Sequence, residues 1–228
     1  MRARPIIAID GPAGAGKSTV ARRIAQSLGF VLLDTGALYR AVALAAKRGK
    51  VDVKDASRAG ALAEDLARRS AIRLEPDKVT LDGEDVSRDI RTPDIGMDAS
   101  TVSAHPAVRK ALLDMQRKAG EAGGIVAEGR DIGTVVFPNA EYKFFLTASP
   151  EVRAKRRYEE LVAKGQTVNA DETLAEVKRR DAQDEGRAVA PLKPAADAVL
   201  VDSSAMSIDG VVETILARVR AQQPTATS

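Results

Sequence analysis

The feature that most constrains this chain is a glycine-rich loop set between two apolar patterns of different period. Gly11-Pro12-Ala13-Gly14-Ala15-Gly16-Lys17-Ser18 matches G-x-x-x-x-G-K-[ST] at every fixed position, and Thr19 follows. Before it, Pro5 to Asp10 is β-branched and apolar, the pattern of a parallel strand buried on both faces. After it, Val20, Ala21, Ile24, Ala25 and Leu28 recur at helical spacing, and Gly29 closes the helix. A loop in that position wraps a phosphate with its backbone N–H groups, and glycines permit both the dihedrals and the close approach. Lys17 adds a mobile positive charge, Ser18 offers a hydroxyl to Mg²⁺, and the positive end of the helix supports the anion.

The same alternation continues. Phe30 to Asp34 reads as a second buried strand, and Thr35 is suited to cap a helix running to about Lys47, with Gly49 beyond its end. Strand, helix, strand and helix in this order predict an α/β fold with parallel pairing. The middle breaks the rhythm. After a helix over Ala56 to Arg69, three short segments (Ile72 to Glu75, Lys78 to Leu81, Asp85-Val86) are separated by the turn signals Pro76-Asp77 and Asp82-Gly83, predicting an antiparallel meander. Thr92 to Ala122 is mostly helical, with interruptions at Pro93 and His105-Pro106. Strands then resume at Gly124 to Glu128, Tyr142 to Leu146 and Ala198 to Asp202. Helices are expected over Pro150 to Lys164, Asp171 to Glu185 and Ile208 to Ala221, before a frayed tail at Gln222 to Ser228. The expected organisation is a core of residues 1–61 and 123–228 interrupted by an insertion over 62–122.

Composition narrows the chemistry. With 228 residues, no cysteine and one histidine, the chain has no thiol nucleophile, thiolate zinc site, iron–sulfur cluster or His-rich metal cage. Catalysis must use Asp, Glu, Lys, Arg and hydroxyls. The basic start is followed by only four apolar residues, Ile6 to Ile9, and the longest apolar run, Ala41 to Ala46, falls far short of the ~20 residues of a membrane span. A cytoplasmic protein is expected. The net charge of +3 does not indicate a nucleic-acid partner, and Pro150 to Arg187 carries nine basic and nine acidic residues, too mixed for an RNA-binding stripe.

Such loops serve kinases, motors and GTP switches. The D-x-x-G and N-K-x-D elements of a guanine-nucleotide switch are missing, since no Asp is followed three residues later by Gly and neither Asn139 nor Asn169 precedes Lys. Arginines point instead to phosphoryl transfer: Tyr39-Arg40, Arg130-Asp131, Arg180-Asp181 and the group Asp184, Glu185, Arg187 supply the cations needed to bring two polyanions together. His105, before a proline at a helix break, is read as structural, Met97 and Met115 as packing residues, and Gly165 with Gln166 and Thr167 as a turn.

Three further stretches are recognisable: Leu33-Asp-Thr-Gly-Ala-Leu-Tyr-Arg40, Glu128-Gly-Arg-Asp-Ile-Gly-Thr-Val-Val-Phe-Pro138, and Arg180-Asp followed by Arg187-Ala-Val-Ala-Pro-Leu192. Together with the loop they closely resemble the bacterial cytidylate kinases, from about residue 5 to 220. The resemblance implies a P-loop NTPase with an adenylate-kinase-like five-stranded parallel sheet, the insertion as a monophosphate-binding region, and a short lid at about 150–187. It implies a kinase that moves the γ-phosphoryl of Mg-ATP to CMP or dCMP; a monomer is expected, with no nucleic acid or membrane as partner. By motif, Thr35, Tyr39 and Arg40 would lie at the acceptor, Arg130 and Arg187 would grip its phosphate, and Ser100, Arg109 and Asp131 would meet cytosine. Arg180 and Asp184 would hold the sugar, while Arg153 and Arg157 would approach the transferred phosphate. Thr35 stands where the family often has Ser, and Glu128 where some members have Asp, so hydroxyl and carboxylate are retained. A kinase for UMP, AMP or shikimate on the same frame, and a slowly hydrolysing regulatory switch, are the competing readings at this stage.

Overall fold

The chain begins its frame with β1 (Ile6–Asp10), the glycine loop, α1 (Lys17–Leu28), β2 (Val31–Asp34) and α2 (Thr35–Arg48). Then come α3 (Ala56–Arg68), β3 (Ile72–Glu75), β4 (Lys78–Leu81), β5 (Glu84–Asp85), α4 (Pro93–Ser103) and α5 (Pro106–Ala119). The frame resumes with β6 (Ile125–Gly129), a π-helical turn at Ile132–Val136, β7 (Tyr142–Thr147), α6 (Pro150–Ala163), α7 (Ala170–Glu185), β8 (Val199–Asp202) and α8 (Ile208–Ala221). This computed structural model describes residues 4–75, 78–163 and 165–221; the expected turn at Pro76-Asp77, the residue Lys164, the basic start Met1 to Ala3 and the tail Gln222 to Ser228 lie outside them.

Five strands form one parallel sheet in the order β2-β6-β1-β7-β8. β1 and β6 are buried at every position, which is why their sequences run apolar without alternation up to the carboxylates Asp10 and Glu128 near their carboxyl ends. Their side chains still divide by face. Ile7 and Ile9 pack with α1 and α8 on one side, whereas Ile6 and Ala8 meet Ile125, Ala127, Ile132 and Val136 on the other. In the chain, β1 is followed by β2 on one side of it and later by β7 on the other. That reversal opens a crevice at the carboxyl ends of the strands, where α/β sheets take ligands.

A third hydrophobic cluster lies apart from the sheet. It joins α2 (Leu38, Val42) to α3 (Leu66), the antiparallel meander β3-β4-β5 (Ile72, Leu81), α4 (Ile95, Val102) and α5 (Val108, Leu112). Prolines occupy the first position of both α4 and α5, where the missing N–H costs nothing. Pro93 therefore starts a helix; it does not interrupt one.

Two local expectations are corrected. The cap of α2 is Asp34, whose carboxylate accepts from Ala37 N at 3.0 Å; Thr35 lies inside the helix and its hydroxyl donates to the Glu128 carbonyl at 2.8 Å. A strand-end carbonyl within reach outcompetes self-capping for that hydroxyl. Met97 is 52% exposed and does not pack in the core, while Met115 rests against the third cluster. The His105 ring shares a hydrogen bond of 2.8 Å with the Val53 carbonyl, pinning the segment before α3 to the start of α5.

Candidate active site

The site begins where β1 ends. Gly11 has φ +148°, and a Cβ there would sit 1.9 Å from the Leu146 carbonyl of β7, so the chain can leave the sheet at this point only through glycine. No side chain caps α1 and no acidic residue lies in its first turn, which leaves the positive end of the helix open to an anion. Lys17 is buried, and its ammonium lies across its own loop, donating to the Pro12 carbonyl at 2.8 Å. Burial, aided by Arg130, pulls Lys17 down to about 7 against the opposing pull of Glu128, Asp184 and Asp10. A phosphate would restore the full charge. Ser18 and Thr19 are exposed at the start of α1.

Beside the loop stand two carboxylates. The parallel register pairs Asp34 with Glu128, and the Ser18 hydroxyl donates to Glu128. Burial raises the Glu128 pKa, and Asp34 raises it further. Hydroxyl and carboxylate oxygens are the donors that Mg²⁺ prefers, and two neighbouring carboxylates carry a repulsion that a divalent cation relieves. No group of three or more His, Asp or Glu able to hold a metal exists among the described residues. A Mg²⁺ ion that keeps several waters and binds substrate phosphates does not need one.

On the far side of β6 the arginines gather. Gly129 admits no side chain, because a Cβ would lie 2.6 Å from the Thr35 hydroxyl, and Arg130 follows at once. Arg130 donates to Asp184 at 2.8 Å, and Arg187 donates to the other oxygen of the same carboxylate and to the Ser103 hydroxyl at 3.0 Å. Burial alone would raise Asp184, but Arg130 and Arg187 hold it below the ordinary carboxylate range. Arg180 is driven down to about 10 by burial and by the nearby Arg130, with Arg40 adding to the effect. Arg109 pairs with Asp131, donates to the Ser103 carbonyl at 3.0 Å, and lies over the Tyr39 ring at 5.5 Å.

This concentration of positive charge is incompletely satisfied. Among the described residues, the buried side-chain atoms without a hydrogen-bond partner are Ser100 Oγ, Arg180 Nε, Arg187 Nε and Thr134 Oγ1. Three of the four belong to residues expected from the sequence at the acceptor. Buried polar atoms are almost always paired, so these donors and acceptors are suited to a polar, anionic ligand.

The two arginines expected in a lid stand elsewhere. Arg153 is buried behind the glycine loop, donating to the Ala148 carbonyl at 2.8 Å and the Ala13 carbonyl at 3.1 Å. Its two terminal nitrogens also grip Asp181 of α7. Arg157 pairs with Glu160 along α6 at 3.2 Å. Neither joins the Arg130–Asp184–Arg187 group. Several contributing residues were not foreseen: Asp34 as cap and carboxylate neighbour, Ser103 as the shared partner of two arginines, and Asp10, whose carboxylate accepts from Ile132 N and Gly133 N at 2.7 Å each. A lone Asp closing an apolar strand was the only trace of the last.

The same three motif stretches that carry the family resemblance therefore converge on one crevice. The model of the cytidylate kinase family matches residues 7–221. The chain belongs to the cytidylate kinase family. A cytidylate kinase of Syntrophotalea carbinolica is 54% identical over 223 residues, 98% of this chain and 95% of that protein. Another, from Pseudomonas aeruginosa, is 53% identical over 214 residues, covering 93% of each. Among solved structures, an uncharacterized protein from Eubacterium ventriosum shares the fold with a TM-score of 0.53 at 14% identity, covering 96% of this chain and 99% of that one. As a member of the cytidylate kinase family the protein is a phosphotransferase of the nucleoside monophosphate kinase class. No helix among its described residues is long and apolar enough to cross a membrane.

Proposed function

We propose that the protein transfers the γ-phosphoryl group of ATP to CMP or dCMP, giving ADP and CDP or dCDP. The observation that carries this reading is the juxtaposition of Lys17 with Arg130, Asp184 and Glu128, which sets an ATP-type phosphate loop against a buried arginine cluster with unsatisfied donors. In this reading residues 11–19 hold the phosphates of ATP. Arg130 and Arg187 clamp the acceptor phosphate, with Arg40, Tyr39 and Thr35 at its edge. Arg180 and Asp184 hold the sugar. Ser100, Arg109 and Asp131 meet the cytosine, the guanidinium serving N3 and the carboxylate serving the exocyclic amine.

An oxygen of the acceptor phosphate attacks the γ-phosphorus as the bond from that phosphorus to the β,γ-bridging oxygen breaks, and the electron pair leaves with ADP. The attacking oxygen is already anionic, so no general base is required. Lys17 and the arginines neutralise charge on the transferring group, and the crevice aligns the two nucleotides. Ser18, with Glu128 and Asp34, would hold Mg²⁺, which when bound neutralises charge on the ATP phosphates.

Residues 62–122 act as the acceptor-binding insertion, and the pair α6 and α7, joined at the Gly165 turn, acts as the lid over 150–187. The separate hydrophobic cluster of the insertion supports this division, although it also draws Leu38 and Val42 from α2. Arg153 and Arg157 belong to that lid. The enzyme works as a monomer in the cytoplasm on small nucleotides alone.

A coupled assay of ADP release tests the reading with CMP, dCMP, UMP, AMP and shikimate as acceptors. Turnover is expected with CMP and dCMP and to be poor without an acceptor. Preference for AMP or shikimate, or hydrolysis of ATP alone at the same rate, would overturn it.

A further inference from the structure

The π-helical turn at Ile132–Val136 starts immediately after Asp131, which puts Asp131 at its N-cap. A carboxylate in that position ordinarily folds back and accepts from an N–H two or three residues on. Asp131 makes no such bond, and its carboxylate pairs with Arg109 on α5. The cap is supplied from a distance. Asp10, the last residue of β1, accepts from Ile132 N with one oxygen and from Gly133 N with the other, across 122 and 123 residues of chain. At 4% exposure it does so in a site with little water to take over the task.

We propose that Asp10 is a positioning residue for the acceptor: by capping the Ile132–Val136 turn from β1, it leaves the Asp131 carboxylate free to hold Arg109 and to face the base. This rests on the reading above that Arg109 and Asp131 take the pyrimidine. Its consequence is opposite to what chain position suggests. Asp10 adjoins Gly11 of the ATP loop, yet both its oxygens are spent on the segment that carries Arg130 and Asp131. Without them the Gly133 N–H has no acceptor, and Asp131, two residues before it, is the carboxylate placed to turn back and supply one. An Asp131 that caps its own turn no longer holds Arg109.

The test compares Asp10→Asn, Asp10→Ala, Asp131→Asn and the double variant Asp10→Asn/Asp131→Asn. CMP, UMP and ATP are each varied in steady state, and ATP binding without acceptor is measured by calorimetry. Asp10→Asn keeps one acceptor oxygen and should raise KM for CMP about tenfold, with Asp10→Ala worse, as expected for lost bonds to a charged acceptor. The CMP-to-UMP preference should narrow, ATP affinity should stay within about twofold, and the double variant should resemble Asp131→Asn alone, since the two residues act through one arrangement. Additive losses, an ATP defect as large as the CMP defect, or an Asp10→Asn protein that no longer folds or binds ATP would overturn the proposal. Normal CMP kinetics in Asp131→Asn would refute the base pocket itself. An impaired Asp131→Asn beside a normal Asp10→Asn would refute only the role of Asp10.

Discussion

Arg153 and Asp181 form a two-pronged ion pair, at 2.9 and 2.7 Å, while the same guanidinium reaches the Ala13 carbonyl of the glycine loop at 3.1 Å. One side chain thus ties α6, α7 and the loop together. With side-chain exposures of 4% and 14% the pair is largely dry, so removing one partner strands the other charge. Asp181→Ala should cost roughly 3 kcal/mol, which lowers the melting temperature of a chain this size by about 6–12 °C. KM for ATP should rise as the loop loses its support. Calorimetric melting checks the first statement, and an unchanged Tm would show that the pair is not a structural latch.

Lys17 is buried beside Arg130, Glu128, Asp184 and Asp10, and its ammonium donates to its own loop at the Pro12 carbonyl, with no part in the hydrophobic clusters. Lys17→Ala should therefore fold normally yet lose on the order of 10² to 10³ in rate, as when one preorganised charge donor is removed. Circular dichroism and kcat together decide this; near-normal turnover in a folded variant would refute the assignment of the ATP loop.

Arg109 is held by Asp131, the Ser103 carbonyl and the Tyr39 ring, all on the acceptor side. Arg109→Met should lower kcat/KM for CMP at least about tenfold, because a buried polar group of the base loses its partner. ATP binding should be nearly unchanged. Loss of ATP affinity with full CMP selectivity retained would put the base pocket elsewhere.

Asp10 also carries a stability signature. Burial pushes its carboxyl from 3.8 up to about 6, against the hydrogen bonds from Gly133 and Ile132 that pull it down. Between those values the folded protein holds a proton that the unfolded chain has released. This contribution to stability is fully present below about pH 4, is lost as pH rises through 6, and is constant above; two pKa units correspond to about 3 kcal/mol. Asp10→Asn does not titrate. Denaturant unfolding at pH 4.5, 5.5 and 7 should show wild type losing stability relative to Asp10→Asn across that window, and parallel curves would contradict the account.

Much of this was readable along the chain. The glycine loop, its flanking strand and helix, the meander and the helix pair before β8 are local features, written in dihedral requirements and periodicities that need only neighbouring residues. The family stretches likewise contain several of the residues that meet in the crevice, among them Arg130, Asp131 and Arg187, while Ser103 and Arg109 lie outside them. Individual ends were less legible. Thr35 has the right chemistry for a cap, but Asp34 precedes it and the Glu128 carbonyl, 93 residues away, claims its hydroxyl.

Sequence alone determined that the protein has an anion-binding loop on a parallel α/β frame and arginines enough for two phosphate groups, because backbone freedom at glycine and the burial pattern of strands are set locally. Tertiary structure decided which charges meet. Asp184 joins Arg130 to Arg187, Arg153 turns behind the loop to Asp181, and Asp10 caps a turn beyond β6. An aspartate or an arginine has many possible partners along a chain. Burial makes an unpaired charge costly, so the packed fold pairs most of the charges it encloses, and the donors it leaves over, Arg180 Nε and Arg187 Nε, lie together in the crevice.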